Sequence, residues 1–407
     1  MGKCMPKNLA DNVGEQSDRQ DFCNHVEYKP RILILSPTFA PSLGGVETHL
    51  SDLVYALDGN GYKLFLLTHS PIGVDRLPAP LYERIGRCAE IFRFKWISGG
   101  VYDKIEKYPF LAFLYMAPYM MIRSFLWLLK HCGDIDIIHA QGLSTGFMGV
   151  IFKVLFRKKM ILSTHAIYEM PPRSISERVA GWIVRHADVV MAVSNSSFLQ
   201  MRNYGVAEDR LSRHRYWVDL YHFRNAGKEK CRTILGLDEK FMVLFVGRLM
   251  QKKGTSVLIN VAKLLPDVNF VFVGIGEDTE MLAEVSRHHK NIIHAGPVPN
   301  NELTKYYSAA DLLCIPSQYE EGLGRVVMEA VACGTPVVGA NKGGIPDALD
   351  DSVSILVDPT VENIKTAISW LVNNKSRYLE MVANCRPYAE RNFGSANLDL
   401  IIKHYVK

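Results

Sequence analysis

This chain has few features that would mark a secreted, metal-bound or nucleic-acid-binding protein. Its eight cysteines (Cys4, Cys23, Cys88, Cys132, Cys231, Cys314, Cys333 and Cys385) are scattered, and none forms a Cys-x-x-Cys pair. That argues against a structural zinc and for reduced thiols in a cytoplasmic setting. Basic residues outnumber acidic ones only 47 to 42, a net charge of +5 with no basic stripe interleaved with aromatics. Nucleic acid is therefore not an expected partner, while acidic ligands or an anionic membrane surface are favoured. No apolar run opens the chain, so residues 1–29 read as a disordered leader rather than a secretory signal. Pro6 stands where an N-terminal lipidation motif needs Ser or Thr. Neither the first apolar strand nor Gly274-Ile275-Gly276 carries the third glycine of the dinucleotide fingerprint, which weakens a dehydrogenase reading. Asp134-Ile135-Asp136 resembles a manganese-holding Asp-x-Asp, yet it opens an apolar segment and reads as a cap and strand start.

With 407 residues, 48% hydrophobic and 22% charged, the chain has the composition of an ordinary globular protein too long for one core, so two domains are expected. From Arg31 onward, short apolar runs alternate with amphipathic segments, the pattern of parallel α/β architecture. Six strands are predicted in the first half (32–36, 63–68, 90–96, 135–140, 160–164, 189–194) and six in the second (241–246, 269–273, 292–295, 312–315, 336–340, 354–357). Two Rossmann-like domains facing across a cleft follow, divided as 30–222 and 223–385, with a terminal segment 386–407.

The densest chemistry lies in Glu321-Gly322-Leu323-Gly324-Arg325-Val326-Val327-Met328-Glu329 and the Gly334-Thr335-Pro336-Val337-Val338 run beyond it. A short apolar strand, a glycine loop and a helix start make an anion site, because first-turn amides have no intrahelical acceptor and the dipole is positive there. A diphosphate docked on the Gly322–Val326 amides would leave Glu321 facing one attached group and Glu329, about two turns into the helix, facing the other. Val326, Val327, Met328, Ala330 and Val331 leave Glu329 almost no polar face, so burial is expected, at a cost that a hydroxyl-rich ligand would relieve. The competing reading is a core helix whose glutamate pairs with a neighbouring arginine.

This pair of glutamates separated by seven residues, with its Gly-Thr-Pro-Val-Val tail, resembles the motif of the retaining glycosyltransferases of family 4. The likeness covers roughly residues 31 to 400 and implies the GT-B fold, with the terminal segment crossing back to the first domain. It implies that Glu321 holds donor-sugar hydroxyls, Gly322, Leu323, Gly324, Arg325 and Val326 hold the diphosphate and sugar, and Glu329 holds the ribose. Gly44 and Gly45 let backbone approach the diphosphate, Val298 borders the base, and His165 faces the reacting sugar from the first domain. Arg248 and Lys253, at a strand's carboxyl end, suit a departing diphosphate and replace a metal in that role. Arg325 stands where the family has an apolar residue, as a phosphate or acceptor contact or a solvent-facing side chain. Tyr216 and Trp217 are also departures.

The resemblance implies a nucleoside-diphosphate-sugar donor, no cofactor and no metal, transfer of a hexose in α-linkage, and a lipid-linked or glycan acceptor. An isomerase of the same fold class, like a UDP-N-acetylglucosamine 2-epimerase, is the alternative. Residues 109–129 are apolar apart from Arg123 and rich in aromatics. Pro118 and Arg123 argue against spanning a bilayer, so a broken helix packed on the first domain is expected, offering peripheral contact with the cytoplasmic face of a membrane, aided by Arg157-Lys158-Lys159.

Overall fold

The computed structural model describes residues 28–42, 44–71, 78–95 and 109–406; the leader up to residue 27 and the last residue of the predicted 90–96 strand lie outside the described residues. Tyr28 and Lys29, assigned to the leader, are tied to the fold: the Tyr28 hydroxyl donates to Asp136 (2.7 Å) and the Lys29 ammonium to the Asn60 carbonyl (2.6 Å).

The first sheet contains β1 (Ile32–Leu35), β2 (Leu64–His69), β3 (Tyr82–Ile85), β4 (Ala89–Phe94), β5 (Ile137–Gln141), β6 (Lys159–Thr164), β7 (Val189–Ala192) and β8 (Leu211–Arg213), in the order β3-β4-β2-β1-β5-β6-β7-β8. Every pairing is parallel except β3 with β4. The second sheet, β9 (Met242–Val246), β10 (Asn269–Val273), β11 (Ile292–Gly296), β12 (Leu312–Ile315), β13 (Val337–Ala340) and β14 (Ser354–Val357), is parallel throughout in the order β11-β10-β9-β12-β13-β14. The unbroken apolar runs explain this: β1 and β12 are buried along their whole length, as strands covered on both faces by helices must be.

Strand order reverses at β1/β5 in the first sheet and at β9/β12 in the second. In open α/β sheets ligands bind outside the strand carboxyl ends at these reversal points. The loops after β1 (Gly44, Gly45), β9 (Arg248, Lys253) and β12 (Glu321) therefore bring these singled-out residues to one cleft, beside Gln141 at the end of β5.

On one face of the first sheet lie the helix Gly45–Gly59 and the chain end; Leu398, Ile401 and Tyr405 sit in this core. The other face carries the helices Pro109–His131, Leu143–Phe156 and Ile175–His186. The crossing segment begins later than residue 386: the helix Lys375–Asn392 runs through that position, and Tyr388 and Phe393 stay in the second domain's core. Pro109–His131 is one continuous helix with Pro118 inside it, not a broken one. Among the described residues, no helix is long and apolar enough to cross a membrane. Asp136 caps as expected, accepting from the Arg31 N–H (2.8 Å), so β5 starts at Ile137 instead of Ile135.

Candidate active site

Glu321 leaves β12 in a loop closed by glycines and is 5% exposed. The Lys253 ammonium lies 2.9 Å from its Oε2, and the Ser317 hydroxyl donates to Oε1. Burial alone would pull the Lys253 ammonium down, but the adjoining Glu321 carboxylate and Tyr319 outweigh it and hold the group above its ordinary value. Lys253 thus stays charged, over the Tyr319 ring at 5.2 Å. Arg248, on the loop after β9, is exposed and close enough to Tyr319 to act on its phenol electrostatically.

Gly324, with φ of 69°, caps the helix Arg325–Ala332, a conformation that glycine adopts without strain. Gly322 faces the first domain so closely that a Cβ on it would lie 2.3 Å from the His165 carbonyl oxygen. His165 follows β6. Burial drives its imidazole well below the ordinary value, leaving a neutral ring that donates from Nε2 to Gln141 Oε1 (2.7 Å) and accepts at Nδ1 from the Tyr216 hydroxyl (2.7 Å). His49, stacked on Tyr216 at 4.0 Å, and His214 pack about His165 with ring centroids near 6 Å apart. The departure at Tyr216 thus orients the candidate histidine.

Glu329 is buried as expected, at 2% exposure, but protein groups already satisfy it. Its carboxylate accepts from the Tyr307 hydroxyl (2.8 Å) and Arg325 Nε (2.9 Å), with Asn300 Nδ2 at 3.5 Å. Its burial therefore does not demand a hydroxyl-rich ligand: the contact it makes is the competing one, with the neighbouring arginine, Arg325. Arg325 faces neither solvent nor an open phosphate site. It is 6% exposed, and its guanidinium joins Glu329, Asp52 of the first domain (2.6 Å) and the Trp217 carbonyl (3.2 Å). Burial opposes its charge, but Glu329 and Asp52 prevail and hold the guanidinium above its usual range; burial pushes the Asp52 carboxyl up even beside it.

Gly45 opens its helix within van der Waals reach of Arg325: a Cβ built on it would lie 3.8 Å from Cβ of that residue. Gly44 is approached by Glu47, whose carboxylate would collide with a side chain there and accepts from the Thr38 hydroxyl (2.7 Å). Val298 packs, half-buried, on the second core. Three groups escaped the sequence reading. Gly343 and Gly344 buttress the Glu321 loop: the Gly344 N–H donates to the Glu321 carbonyl (2.8 Å), and a Cβ on Gly344 would fall 1.4 Å from the Gly322 oxygen. Asp347 accepts the Asn195 N–H across the cleft (2.6 Å). Asp52 holds Arg325. The Gly343-Gly344 pair after β13 is the same signal as Gly44-Gly45 after β1; the other two carry no local signature. Among the described residues, no cluster of three or more His, Cys, Asp or Glu side chains could hold a metal ion.

Known proteins resemble this chain in sequence and in fold. Residues 227–392 match Glycosyl transferases group 1, and residues 43–220 match Glycosyltransferase Family 4. D-inositol 3-phosphate glycosyltransferase 1 of Catenulispora acidiphila is 30% identical over 313 residues, 68% of this chain and 73% of that protein. Sucrose-phosphate synthase from Thermosynechococcus elongatus superposes with a TM-score of 0.78 at 20% identity, covering 92% of this chain and 98% of that one. Anabaena HepE, solved in complex with UDP, does so with 0.72 at 20% identity, again over 92% and 98%. These similarities show the GT-B fold: two Rossmann-like domains with largely parallel sheets.

Proposed function

This chain belongs to the family 4 glycosyltransferases, and on that premise we propose that it transfers a hexose from a nucleoside-diphosphate sugar to a lipid-linked or glycan acceptor with retention, without a metal. The observation that carries the reading is the Lys253–Glu321 pair, with Glu321 buried, beside the close contact of Gly322 with the His165 carbonyl of the first domain.

In this reading Glu321 orients the sugar hydroxyls, and the Gly322–Val326 backbone takes the diphosphate at the helix start. As the bond from the anomeric carbon to phosphate oxygen breaks, negative charge grows on the diphosphate, where the cations of Arg248 and Lys253 oppose it. The acceptor hydroxyl attacks from the leaving-group side, its proton passes to the departing phosphate oxygen, and the nucleoside diphosphate leaves. Neutral His165, held by Gln141 and Tyr216, meets the sugar by exchanging Gln141 for a sugar hydroxyl at Nε2, without adding a competing charge. Glu329 meets the ribose by exchanging Asn300 or Tyr307 for its hydroxyls, with Arg325 retained.

The test is incubation with labelled UDP-, GDP- and ADP-hexoses in EDTA, with lipid-linked, glycan and inositol phosphate acceptors. An α-linked product formed in EDTA supports the proposal. A β-linked product, or turnover that requires a divalent cation, contradicts it. Donor isomerised without acceptor points to the epimerase-like alternative.

A further inference from the structure

The helix Pro109–His131 is apolar on the side it turns away from the protein as well as on the side it buries. Met120 and Leu128 are fully buried, yet Leu111 and Leu114 are each 49% exposed, Ile122 56%, Leu126 52% and Leu129 56%. At 100° per residue these five fall within about 120° of one another, a stripe roughly 27 Å long. A helix lying on a solvated surface carries its charges there. Here residues 109–131 contain no Asp or Glu, and the cations Arg123 and Lys130 lie beside the stripe, not in it.

The surface continues onto the next helix. Phe125 touches Phe156 with ring centroids 5.9 Å apart, and just before Phe156 stand Val154, 71% exposed, and Leu155, 58% exposed. Arg157, Lys158 and Lys159, immediately after it, and Lys153, one turn before it, line a surface cavity of about 470 Å³ with Asp188 as the one carboxylate in its lining. Asp188 is already paired with Lys153 at 2.6 Å, so the lining keeps a clear positive surplus. An uncharged leucine stripe beside a basic hollow matches a layer with an apolar interior and anionic headgroups.

We infer that this face of the first domain docks on an anionic lipid bilayer, with the Leu111–Leu129 stripe entering the headgroup boundary and the hollow at Arg157 and Lys158 receiving lipid phosphates. The inference extends the reading of a lipid-linked acceptor, because it would hold the domain opposite the donor half at the surface where such an acceptor lies.

The test is co-sedimentation of the full chain with phosphatidylcholine vesicles, with and without about a third phosphatidylglycerol, at low and high salt. Wild type should partition onto the anionic vesicles and lose part of this binding in high salt. The triple variant Ile122→Ser/Leu126→Ser/Leu129→Ser and the pair Arg157→Glu/Lys158→Glu should each lower partitioning about tenfold or more. All these positions are at least partly exposed, so unfolding temperature and nucleoside-diphosphate binding should stay at wild-type values, which separates failure of docking from failure of the transferase reading. Equal binding to neutral vesicles, full binding by either variant, or a dimer in solution that the serine variant abolishes would overturn the proposal. So would complete displacement from vesicles by millimolar inorganic phosphate, which would make the hollow a free-phosphate site.

Discussion

Arg325 is a charged residue that joins the two domains beside this site. A buried cation held by Glu329 of its own helix and by Asp52 of the first domain links the two domains, and removing one member of such a set strands the others without water. Arg325→Ala should destabilise the protein by about 3–5 kcal/mol in urea unfolding. A loss under about 1 kcal/mol would mean that the two carboxylates find other partners. Glu329→Ala should weaken donor affinity; unchanged affinity in calorimetry would remove the ribose assignment. Lys253→Met should lower kcat about 100- to 1,000-fold if the ammonium opposes charge on the leaving group. A rise in KM alone would make it a ground-state binder.

At the scale of elements, the two cleft loops are in contact through glycines. Gly322→Ala would set a methyl against the His165 carbonyl, and Gly344→Ala would set one against the Gly322 carbonyl. Both should leave the fold intact, since each domain's core lies elsewhere, yet part the loops. Activity should fall at least tenfold with little change in unfolding temperature, and small-angle scattering should report a larger radius of gyration. Wild-type activity in Gly344→Ala would show that the buttress is dispensable. The predicted strands were legible because parallel strands buried on both faces are written as unbroken apolar runs. β3 escaped because Tyr82-Glu83-Arg84-Ile85 is an edge strand with mixed polarity, and β8 because it has three residues. Glu321 was legible from its motif, Lys253 from its place at a strand's carboxyl end and His165 from the resemblance to the family. Tyr307 as a partner of Glu329 and Asp52 as a partner of Arg325 were not, because both arrive from distant segments and only the folded chain brings them in.

Across the whole molecule, several histidines are buried without charge. Burial lowers His69 and His214 to about 4 and His139 to about 3, from an ordinary value of 6.5. The unfolded chain takes up these protons first, so the stability that depends on neutral rings is complete above pH 6.5 and drains away as pH falls toward 4. Each ring should cost about 1.4 kcal/mol per pH unit within that window. Urea midpoints between pH 7.5 and 4.5 would read this slope, and a flat profile would contradict the neutral assignments.

In the proposed reading the cleft between the two domains binds a nucleoside diphosphate through Glu321, Lys253 and the helix start, without a metal. Melting-temperature shifts with UDP, GDP, ADP and NAD, each with and without EDTA, test it most directly. Ligand at about a hundred times its dissociation constant adds roughly 2.7 kcal/mol, a readily measured rise. The expected outcome is a rise with one diphosphate that persists in EDTA and is reduced in Glu329→Ala. No rise with any diphosphate, a rise only with NAD, or one abolished by EDTA would contradict it.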